Sequence, residues 1–309
     1  MKTTSKYAIS SGGKRLRPLI TTLCAELVGG DYRDTKDTFL ALELIHNATL
    51  VHDDIIDEDL YRRGVPSMHM EHGVKKAVLT GDALLSMGLM YAAQTNNPKI
   101  VYWLSETSLK MVQGIAIQNI MKRHLMSLDD YLNMNYLKSG SLFEAAAALG
   151  GEVASDDPQV VEKLSEFGKY FGNAYQIRDD IMDAFTADGA DKSPRNDLVN
   201  GDISILLIYA LESESITETE KETLLGLYQG EVHDLNLTNI LRIYEKTGAL
   251  NEAIGKMKEY AQKAREAIQE FSDGEAKDSL MALLEQYNAE LPTIAHIKIS
   301  HTTATNEDY

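Results

Sequence analysis

Two short acidic motifs are the part of this chain best suited to chemistry. Asp53–Asp57 and Asp179–Asp183 both read D-D-x-x-D, so each holds two aspartates four residues apart. On a helix, side chains at this spacing lie on one face, and each motif would present a pair of carboxylates. Carboxylate oxygens are typical ligands of Mg²⁺, which often bridges them to the phosphates of a substrate. An exposed acidic face is the alternative for either motif alone, but it explains two copies in apolar surroundings less well.

Clustered basic residues complement these acids. Gly12–Pro18 carries three cations directly after a glycine pair, Arg62 and Arg63 follow the first acidic motif, and Lys138 and Lys192 stand near predicted helix ends. Arginine binds phosphate oxygens through two parallel hydrogen bonds, and lysine supplies a point charge. Metal on one side and cations on the other would together hold a diphosphate. This arrangement suits the ionisation of a diphosphate ester, because metal and cations stabilise the charge of the leaving group.

Helices are expected to position these residues. Six prolines occur in 309 residues, and the stretch from Asp31 to Arg63 contains neither glycine nor proline, while its apolar residues recur at helical spacing. The only Asn-Gly hairpin signal, Asn200-Gly201, is flanked by helical patterns. We therefore expect an all-α, single-domain helical bundle over residues 1–309, with short connections and a frayed polar tail at 300–309.

Composition narrows the class of protein. The chain has 47 acidic and 30 basic residues and a net charge of −17, which argues against a nucleic-acid partner, because phosphate backbones require a basic surface. Cys24 is the single cysteine, so no disulfide framework is possible and a reducing compartment is favoured. The first residues lack the apolar core of a signal peptide, and the best apolar run, Ile203–Leu211, is far shorter than the roughly 20 residues that span a bilayer. We expect a cytoplasmic protein without a transmembrane segment.

In combination, the motifs resemble those of the trans-isoprenyl diphosphate synthases, also called polyprenyl synthetases. The matching segments occur in the family's order: Gly12–Pro18, His52–Asp57, Arg62–Pro66, Gly81-Asp82, Lys138-Ser139 and Tyr175–Asp183. The resemblance implies an isoprenoid synthase fold with a deep central cavity, usually in a homodimer. It also implies a head-to-tail condensation, in which an allylic diphosphate ionises and isopentenyl diphosphate attacks the carbocation. A proton is then lost to the departing diphosphate.

The resemblance further implies roles for individual residues. Asp53 and Asp57 would bind two Mg²⁺ ions and Asp179 a third, with Asp183, Asp54 and Asp180 in supporting or water-mediated positions. Isopentenyl diphosphate would contact Lys14, Arg17, His46 and Arg63. The allylic diphosphate would contact Arg62, Lys138, Ser139, Gln176 and Lys192. The catalytic set would comprise Asp53, Asp57, Arg62, Lys138, Asp179 and Lys192.

The same resemblance indicates where the growing product would lie. Thr49 stands one helical turn before Asp53, with Ala48 beside it. In the family, an aromatic residue at either position resembles a floor that stops the chain early, and both residues are small here. With Leu44 or a residue of a facing helix as the floor, we expect a product of C20 or longer, C25 to C30 being favoured. The closest functional likeness would be a geranylgeranyl, geranylfarnesyl or hexaprenyl diphosphate synthase, whose product seeks a membrane.

Three features depart from the family pattern. Asp202 occupies a position where a lysine is common, so it either points away from the diphosphate or opposes it. Gly114–Gln118 stands where a Gly-Gln-x-x-Asp pattern often occurs, which predicts fewer polar groups on one wall of the cavity. Eleven residues precede Gly12, so one or more N-terminal helices of the family are expected to be missing.

Two other functions stay open beside an elongating prenyltransferase. A terpene cyclase of the same all-α type also ionises an allylic diphosphate with Mg²⁺, but it generally needs neither a second diphosphate pocket nor a second strict acidic motif. A regulatory or low-activity subunit of a heteromeric prenyl synthase would account for Asp202 and the short start. Such subunits usually lose their acidic motifs, and both motifs are intact here.

Overall fold

Helices form nearly all of the regular structure, which confirms the all-α prediction. The computed structural model describes residues 2–10, 12–184, 197–231 and 236–286, so Lys192 and the 300–309 tail lie outside the described residues. In chain order the helices are α1 Lys2–Ser10, α2 Leu16–Leu27, α3 Lys36–Ile56, α4 Met68–His72, α5 Val74–Gln94, α6 Pro98–Met121, α7 Leu128–Asn135, α8 Ser141–Ala154, α9 Pro158–Ala184, α10 Asp197–Asn200, α11 Ile205–Glu212, α12 Glu218–Gln229, α13 Leu237–Lys246 and α14 Ala249–Ala267. A further helix, α15, covers residues 275–286.

The core is built around α8. Residues 145–151 of this helix are all buried, as is usual for a helix that is apolar on every side. Helix α8 packs against α2 and α9, and α9 packs in turn against α14. A second apolar cluster joins α3 to α5 through side chains that include Leu44, Ala48 and Leu84. The two helices that carry the acidic motifs, α3 and α9, are therefore fixed by extensive packing.

The long helices α6 and α9 begin with the same local signal. Asn97 precedes Pro98, and Asp157 precedes Pro158. The Asn97 side chain accepts a hydrogen bond from the Lys99 N–H, and the Asp157 carboxylate accepts one from the Gln159 N–H. An Asn or Asp cap followed by proline satisfies the free N–H groups of a first turn and pre-sets its backbone. These starts set the register of helices that end at the site.

One small hairpin interrupts the helical pattern. Strands β1, Tyr61–Arg62, and β2, Val65–Pro66, pair antiparallel with Arg62 opposite Val65. Between them Arg63 and Gly64 both have positive φ, at 54° and 79°, which is the pattern of a type I′ turn. The sequence analysis did not anticipate this hairpin, because the turn is Arg-Gly instead of the usual Asn-Gly.

A π-helical turn, Tyr136–Gly140, separates α7 from α8. It carries Lys138 and Ser139. Gly114 of α6 lies against it so closely that a Cβ at this position would collide with the Lys138 backbone nitrogen. Single π-helical turns often occur at functional sites, and this one sets the position of Lys138 relative to α6.

Among the described helices, none combines the length and the apolar character that crossing a membrane requires.

Candidate active site

The two acidic motifs meet at the ends of α3 and α9. They line one pocket of about 440 Å³, called the acidic pocket here. Its lining residues are Asp53, Asp57, Glu58, Asp59, Leu60, Arg62, Gln118, Lys122, Lys138, Gln176, Asp179, Asp180, Asp183, Asp197, Asn200 and Asp202. The four aspartates assigned to metal from the sequence, Asp53, Asp57, Asp179 and Asp183, are all among them.

The first motif divides its aspartates between the pocket and the interior. Asp53 and Asp57 line the acidic pocket, whereas the Asp54 side chain is only 5% exposed. Asp54 Oδ1 accepts a 2.6 Å hydrogen bond from Arg62 Nε, and Arg62 also lies 3.3 Å from Asp59. The ion pair with Asp54 therefore holds Arg62 at the edge of the pocket, and the supporting metal role expected of Asp54 stays a prediction.

In the second motif Asp179 and Asp183 line the acidic pocket, and Asp180 lines it as well while it is anchored within the protein. Asp180 is buried and accepts hydrogen bonds from the Tyr131 hydroxyl, from Gln176 Nε2 at 3.2 Å and from the Ile205 N–H at 3.4 Å. Burial raises the pKa of Asp180, and these donors oppose the shift. Asp180 thus ties α9 to α7 and α11. Gln176, assigned to the allylic diphosphate from the sequence, lines the pocket while it donates to this carboxylate.

The remaining carboxylates fit a divalent cation. Burial raises the pKa of both Asp57 and Asp179 to about 6, and the neighbouring Asp53 and Asp183 carboxylates add to the respective shifts. Asp53 Oδ1 is buried and accepts no hydrogen bond within the described part of the chain; Lys138 Nζ lies 3.9 Å from it. No ready-made cluster of three metal-binding side chains occurs among the described residues. Mg²⁺ commonly takes only one or two carboxylates and completes its shell with water and phosphate oxygens, so the carboxylate pairs are a suitable donor set.

A second pocket, of about 520 Å³, collects the cations of the N-terminal motif. This cationic pocket is lined by Gly13, Lys14, Arg15, Leu16, Arg17, Glu43, His46, Arg63 and Tyr175. All four residues assigned to isopentenyl diphosphate from the sequence are present. Glu43 was not anticipated, since it is one acid among many on a helix. It forms an ion pair with Arg15 and accepts a 3.1 Å hydrogen bond from Asn47 Nδ2.

His46 is neutral, and its tautomer follows from its partner. Burial lowers its pKa well below the ordinary value, and the positive charge of Arg17 lowers it further. Arg17 Nη1 lies 3.1 Å from His46 Nε2, and a guanidinium can only donate, so Nε2 accepts and Nδ1 carries the proton. Nδ1 is buried and has no hydrogen-bond partner among the described residues. The ring of His46, which lines the cationic pocket, therefore keeps one buried N–H donor unsatisfied.

Adjacent arginines of the hairpin serve different pockets. Arg62 lines the acidic pocket and Arg63 lines the cationic pocket. Arg63 donates a hydrogen bond to the Gly12 carbonyl, and its guanidinium lies where a Cβ on Gly13 would be. The glycine pair of the N-terminal motif therefore makes room for Arg63.

A third cavity, of about 310 Å³, joins the two pockets. This junction cavity shares Arg17, His46, Arg63 and Tyr175 with the cationic pocket and Asp53, Arg62, Lys138, Gln176 and Asp179 with the acidic pocket. Its other lining residues are Thr49, Leu50, Met111, Ile115 and Ser139. Groups bound in the two pockets would face each other across this cavity. Tyr175 was not assigned a role from the sequence, and it lines both the cationic pocket and the junction cavity.

Asp202 and Gln118 lie in the acidic pocket and contact each other. Gln118 Nε2 donates a 2.8 Å hydrogen bond to Asp202 Oδ1, and Gln118 Oε1 accepts a 2.5 Å hydrogen bond from Lys138 Nζ. Asp202 therefore faces the site. The sequence predicts fewer polar groups on the cavity wall formed by Gly114–Gln118. This prediction applies to Ile115 but not to Gln118, whose amide forms hydrogen bonds with both Asp202 and Lys138.

Of the residues assigned to product length, Thr49 borders the junction cavity. Ala48 and Leu44 are buried in the apolar cluster between α3 and α5 and line none of the three cavities. Across from Thr49, Met111 and Ile115 of α6 form the apolar wall. The role of Ala48 and Leu44 stays a prediction.

Comparison with known proteins decides the family. The sequence model of the polyprenyl synthetase family matches residues 1–237. The chain belongs to the polyprenyl synthetase family. It is 32% identical to the geranylfarnesyl diphosphate synthase of Aeropyrum pernix over 91% of each chain, and 29% identical to the short chain isoprenyl diphosphate synthase of Methanothermobacter thermautotrophicus over 91% of this chain and 87% of that one. The polyprenyl synthase of Caulobacter crescentus, solved with calcium and isoprenyl diphosphate, superposes with a TM-score of 0.86 at 28% identity, over 94% of this chain and 88% of that one.

As a polyprenyl synthetase, the chain is a prenyltransferase that makes isoprenyl diphosphates. Enzymes of this family depend on divalent metal ions, and their substrates are isoprenyl diphosphates. The fold and the recognition made from the motifs are confirmed.

Proposed function

We propose that this polyprenyl synthetase is a Mg²⁺-dependent enzyme that condenses isopentenyl diphosphate head to tail with an allylic diphosphate. The observation that carries the proposal is the junction cavity, because it is bordered by carboxylates on one side and by arginines and a neutral histidine on the other. One diphosphate would be held through metal in the acidic pocket, and the other directly by cations in the cationic pocket. Their hydrocarbon parts would meet between the two.

Different residues around the junction cavity would bind the two diphosphates. Arg62 and Lys138 would bind the allylic diphosphate, while Arg17, Arg63 and the His46 Nδ1–H would bind isopentenyl diphosphate. A bound Mg²⁺ supplies positive charge to the departing diphosphate. As the allylic C–O bond breaks, the double bond of isopentenyl diphosphate attacks the carbocation, and the departed diphosphate takes the proton lost from the adduct. Lys192, also assigned here from the sequence, lies outside the described residues.

The product is proposed to be C20 or longer, with C25 to C30 favoured. Thr49 is small, and the cavity is walled beside it by Met111 and Ile115. Each buried methylene contributes about 0.8 kcal/mol, so a five-carbon unit that fits the cavity is strongly preferred over one that does not. Side chains at this wall would therefore set the limit.

The direct test is incubation of the purified protein with Mg²⁺, labelled isopentenyl diphosphate and allylic primers of increasing length. Elongated products, analysed by chromatography against standards, are the expected result and give the chain length. Cyclised hydrocarbons without use of isopentenyl diphosphate would favour a terpene cyclase. No turnover with any primer, restored by a second protein, would favour the subunit of a heteromeric synthase that Asp202 suggests.

We also propose a homodimer. Helices α5 and α6 expose large apolar side chains along one side, among them Leu79 (62%), Met90 (63%), Tyr102 (66%), Leu109 (59%) and Ile120 (73%). A patch of this kind usually marks an interface. Light scattering coupled to gel filtration is expected to give twice the chain mass, and the Leu109→Glu, Ile120→Glu double variant half of that. A cytoplasmic location, suggested by the lone Cys24, stays a prediction.

A further inference from the structure

A chain of hydrogen bonds crosses the wall of the acidic pocket. Lys138 Nζ donates to Gln118 Oε1 at 2.5 Å, and Gln118 Nε2 donates to Asp202 Oδ1 at 2.8 Å. The three residues come from the π-helical turn, from α6 and from the turn after α10. Gln118 and Asp202 are both positions at which the chain departs from its family's pattern. The two departures are therefore in direct contact.

This contact permits one orientation of the Gln118 carboxamide. A carboxylate only accepts hydrogen bonds and an ammonium only donates them, so Nε2 must face Asp202 and Oε1 must face Lys138. A donor in place of the Asp202 carboxylate would reverse the amide. Its NH₂ group would then point at the Lys138 ammonium, and the hydrogen bond between them would be lost.

The backbone around Asp202 is fixed. The Asp202 N–H donates to the Asp197 carbonyl at 2.9 Å, and the Gly201 carbonyl accepts a 2.8 Å hydrogen bond from the Arg123 N–H. Gly201 has a φ of +77°, and a Cβ there would lie 2.5 Å from Arg123 Cγ. Asp202 thus orients Gln118 from a firmly held turn.

Without this arrangement, Lys138 would be drawn to a carboxylate. Its Nζ lies 3.9 Å from Asp53 Oδ1, an oxygen that accepts no hydrogen bond from the described residues. If the ammonium closed on Asp53, it would occupy a carboxylate that the proposed function assigns to metal, and its charge would be taken up by that carboxylate instead of a diphosphate. The Gln118 oxygen is a competing acceptor that keeps the ammonium away.

We infer that Gln118 is a positioning residue for Lys138 and that Asp202 sets the orientation of Gln118. The pair keeps the ammonium on the cavity wall, where the allylic diphosphate would meet it. This inference rests on the proposed function, which places that diphosphate beside Lys138. It turns the Asp202 departure from an obstacle to diphosphate binding into a part of the binding site.

The test uses four variants of the full chain and one control variant. Gln118→Met keeps the size of the side chain and removes both hydrogen bonds. Asp202→Lys sets a donor against the amide, and Gln118→Glu sets a carboxylate against Asp202. In the double variant Gln118→Glu, Asp202→Lys, one carboxylate accepts from Lys138 and from the introduced lysine. Glu214→Lys, at an exposed position between α11 and α12, is the control for the change of net charge.

We expect Gln118→Met and Asp202→Lys to raise the KM for the allylic diphosphate about tenfold, since the hydrogen bond that Lys138 donates is lost. Gln118→Glu should raise it to a similar extent, because the Asp202 carboxylate repels the new carboxylate and displaces it from Lys138. The KM for isopentenyl diphosphate and the melting temperature should stay unchanged, and Glu214→Lys should behave as the wild type. The double variant should return to within about threefold of the wild-type KM, because the two sites are energetically coupled. Calorimetric titration with Mg²⁺ and inorganic diphosphate should give the same pattern in Kd without turnover.

Two results would overturn the inference: an unchanged KM and Kd in Gln118→Met, or a double variant whose defect is the sum of the single ones. An inactive wild type would instead contradict the proposed function, and the titration would still decide the role of Gln118.

Discussion

In both acidic motifs the second aspartate is buried and engaged within the protein, although Asp180, unlike Asp54, also lines the acidic pocket. Asp54 accepts a hydrogen bond from Arg62, and Asp180 accepts hydrogen bonds from Tyr131, Gln176 and the Ile205 N–H. Residues one position apart on a helix point in different directions, so a D-D pair serves two sides of the helix at once. The consecutive aspartates therefore combine a metal-facing group with a structural anchor.

This division predicts opposite effects for neighbouring substitutions. Asp53→Asn should lower the condensation rate by about two orders of magnitude or more, because several kcal/mol of charge stabilisation depends on the metal site. It should leave thermal stability unchanged or raised, since a carboxylate is removed from an acidic pocket. Asp54→Asn should destabilise the protein by about 3 kcal/mol, because it breaks a buried ion pair.

Urea unfolding monitored by circular dichroism and a steady-state assay on the same samples check this contrast. Equal losses of stability in both variants would contradict the division of labour between the two aspartates.

At the scale of elements, the hairpin after α3 distributes charge between the two pockets. Its turn needs a positive φ at Arg63 and Gly64, at 54° and 79°. The hairpin supplies Arg62 to the acidic pocket and Arg63 to the cationic pocket, and both border the junction cavity. Gly64→Val would place a β-branched residue in the left-handed region, where it costs about 1 to 2 kcal/mol per residue. The expected result is a higher KM for both diphosphates, since both arginines shift.

Gly248→Val is the matched control for this variant. Gly248 has a φ of +77° with open space around it, at the start of α14. The same backbone strain there should lower the melting temperature without changing either KM. A Gly64→Val enzyme with normal KM values would show that the turn does not position the arginines.

Helices α3 and α6 face each other across the junction cavity through Thr49 and Met111. Thr49→Phe should fill the cavity and shorten the product, whereas Met111→Ala should open it and lengthen the product by at least one isoprene unit. Ala48→Phe is the informative comparison, because Ala48 packs against α5, where overpacking costs about 1 to 3 kcal/mol. Product analysis by chromatography decides: unchanged lengths in both Thr49→Phe and Met111→Ala would exclude this wall as the limit.

Much of the molecule follows from the sequence, and the exceptions have physical causes. The absence of glycine and proline from α3 and the repeated acidic motif led to an all-α fold with a shared acidic pocket. The hairpin was missed because its Arg-Gly turn carries no common signal. The contact between Gln118 and Asp202, which are far apart in the chain, depends on how α6 packs against the turn after α10. Tertiary contacts of this kind leave no local pattern.

At the scale of the whole molecule, the acidic residues behind the net charge of −17 differ in their pKa between the surface and the acidic pocket. At the surface, a nearby cation lowers the pKa of several carboxyl groups. Arg33 lowers the pKa of Asp31 to about 2, and Lys246 lowers the pKa of Glu220 to about 2. In the acidic pocket the direction is reversed, because burial raises the pKa of Asp57 and Asp179 to about 6. A bound cation would favour the charged form of these carboxylates and so offset the cost of their burial.

This reversal predicts how the stability of the metal-free protein depends on pH. A carboxyl with a pKa near 6 when folded and about 4 when unfolded binds its proton more tightly in the folded state. Its contribution to stability is present at low pH and is lost as the pH rises through 6. The melting temperature in EDTA should therefore fall between pH 5 and pH 7, a window above the titration of Asp31 and Glu220.

Saturating Mg²⁺ should raise the melting temperature at pH 7 and have little effect at pH 5, since protons compete with the metal. An Asp57→Asn, Asp179→Asn double variant should weaken both responses, and the part that remains belongs to Asp180, whose pKa burial raises to about 7. A metal-free melting temperature that rises with pH in this window would contradict the assignment.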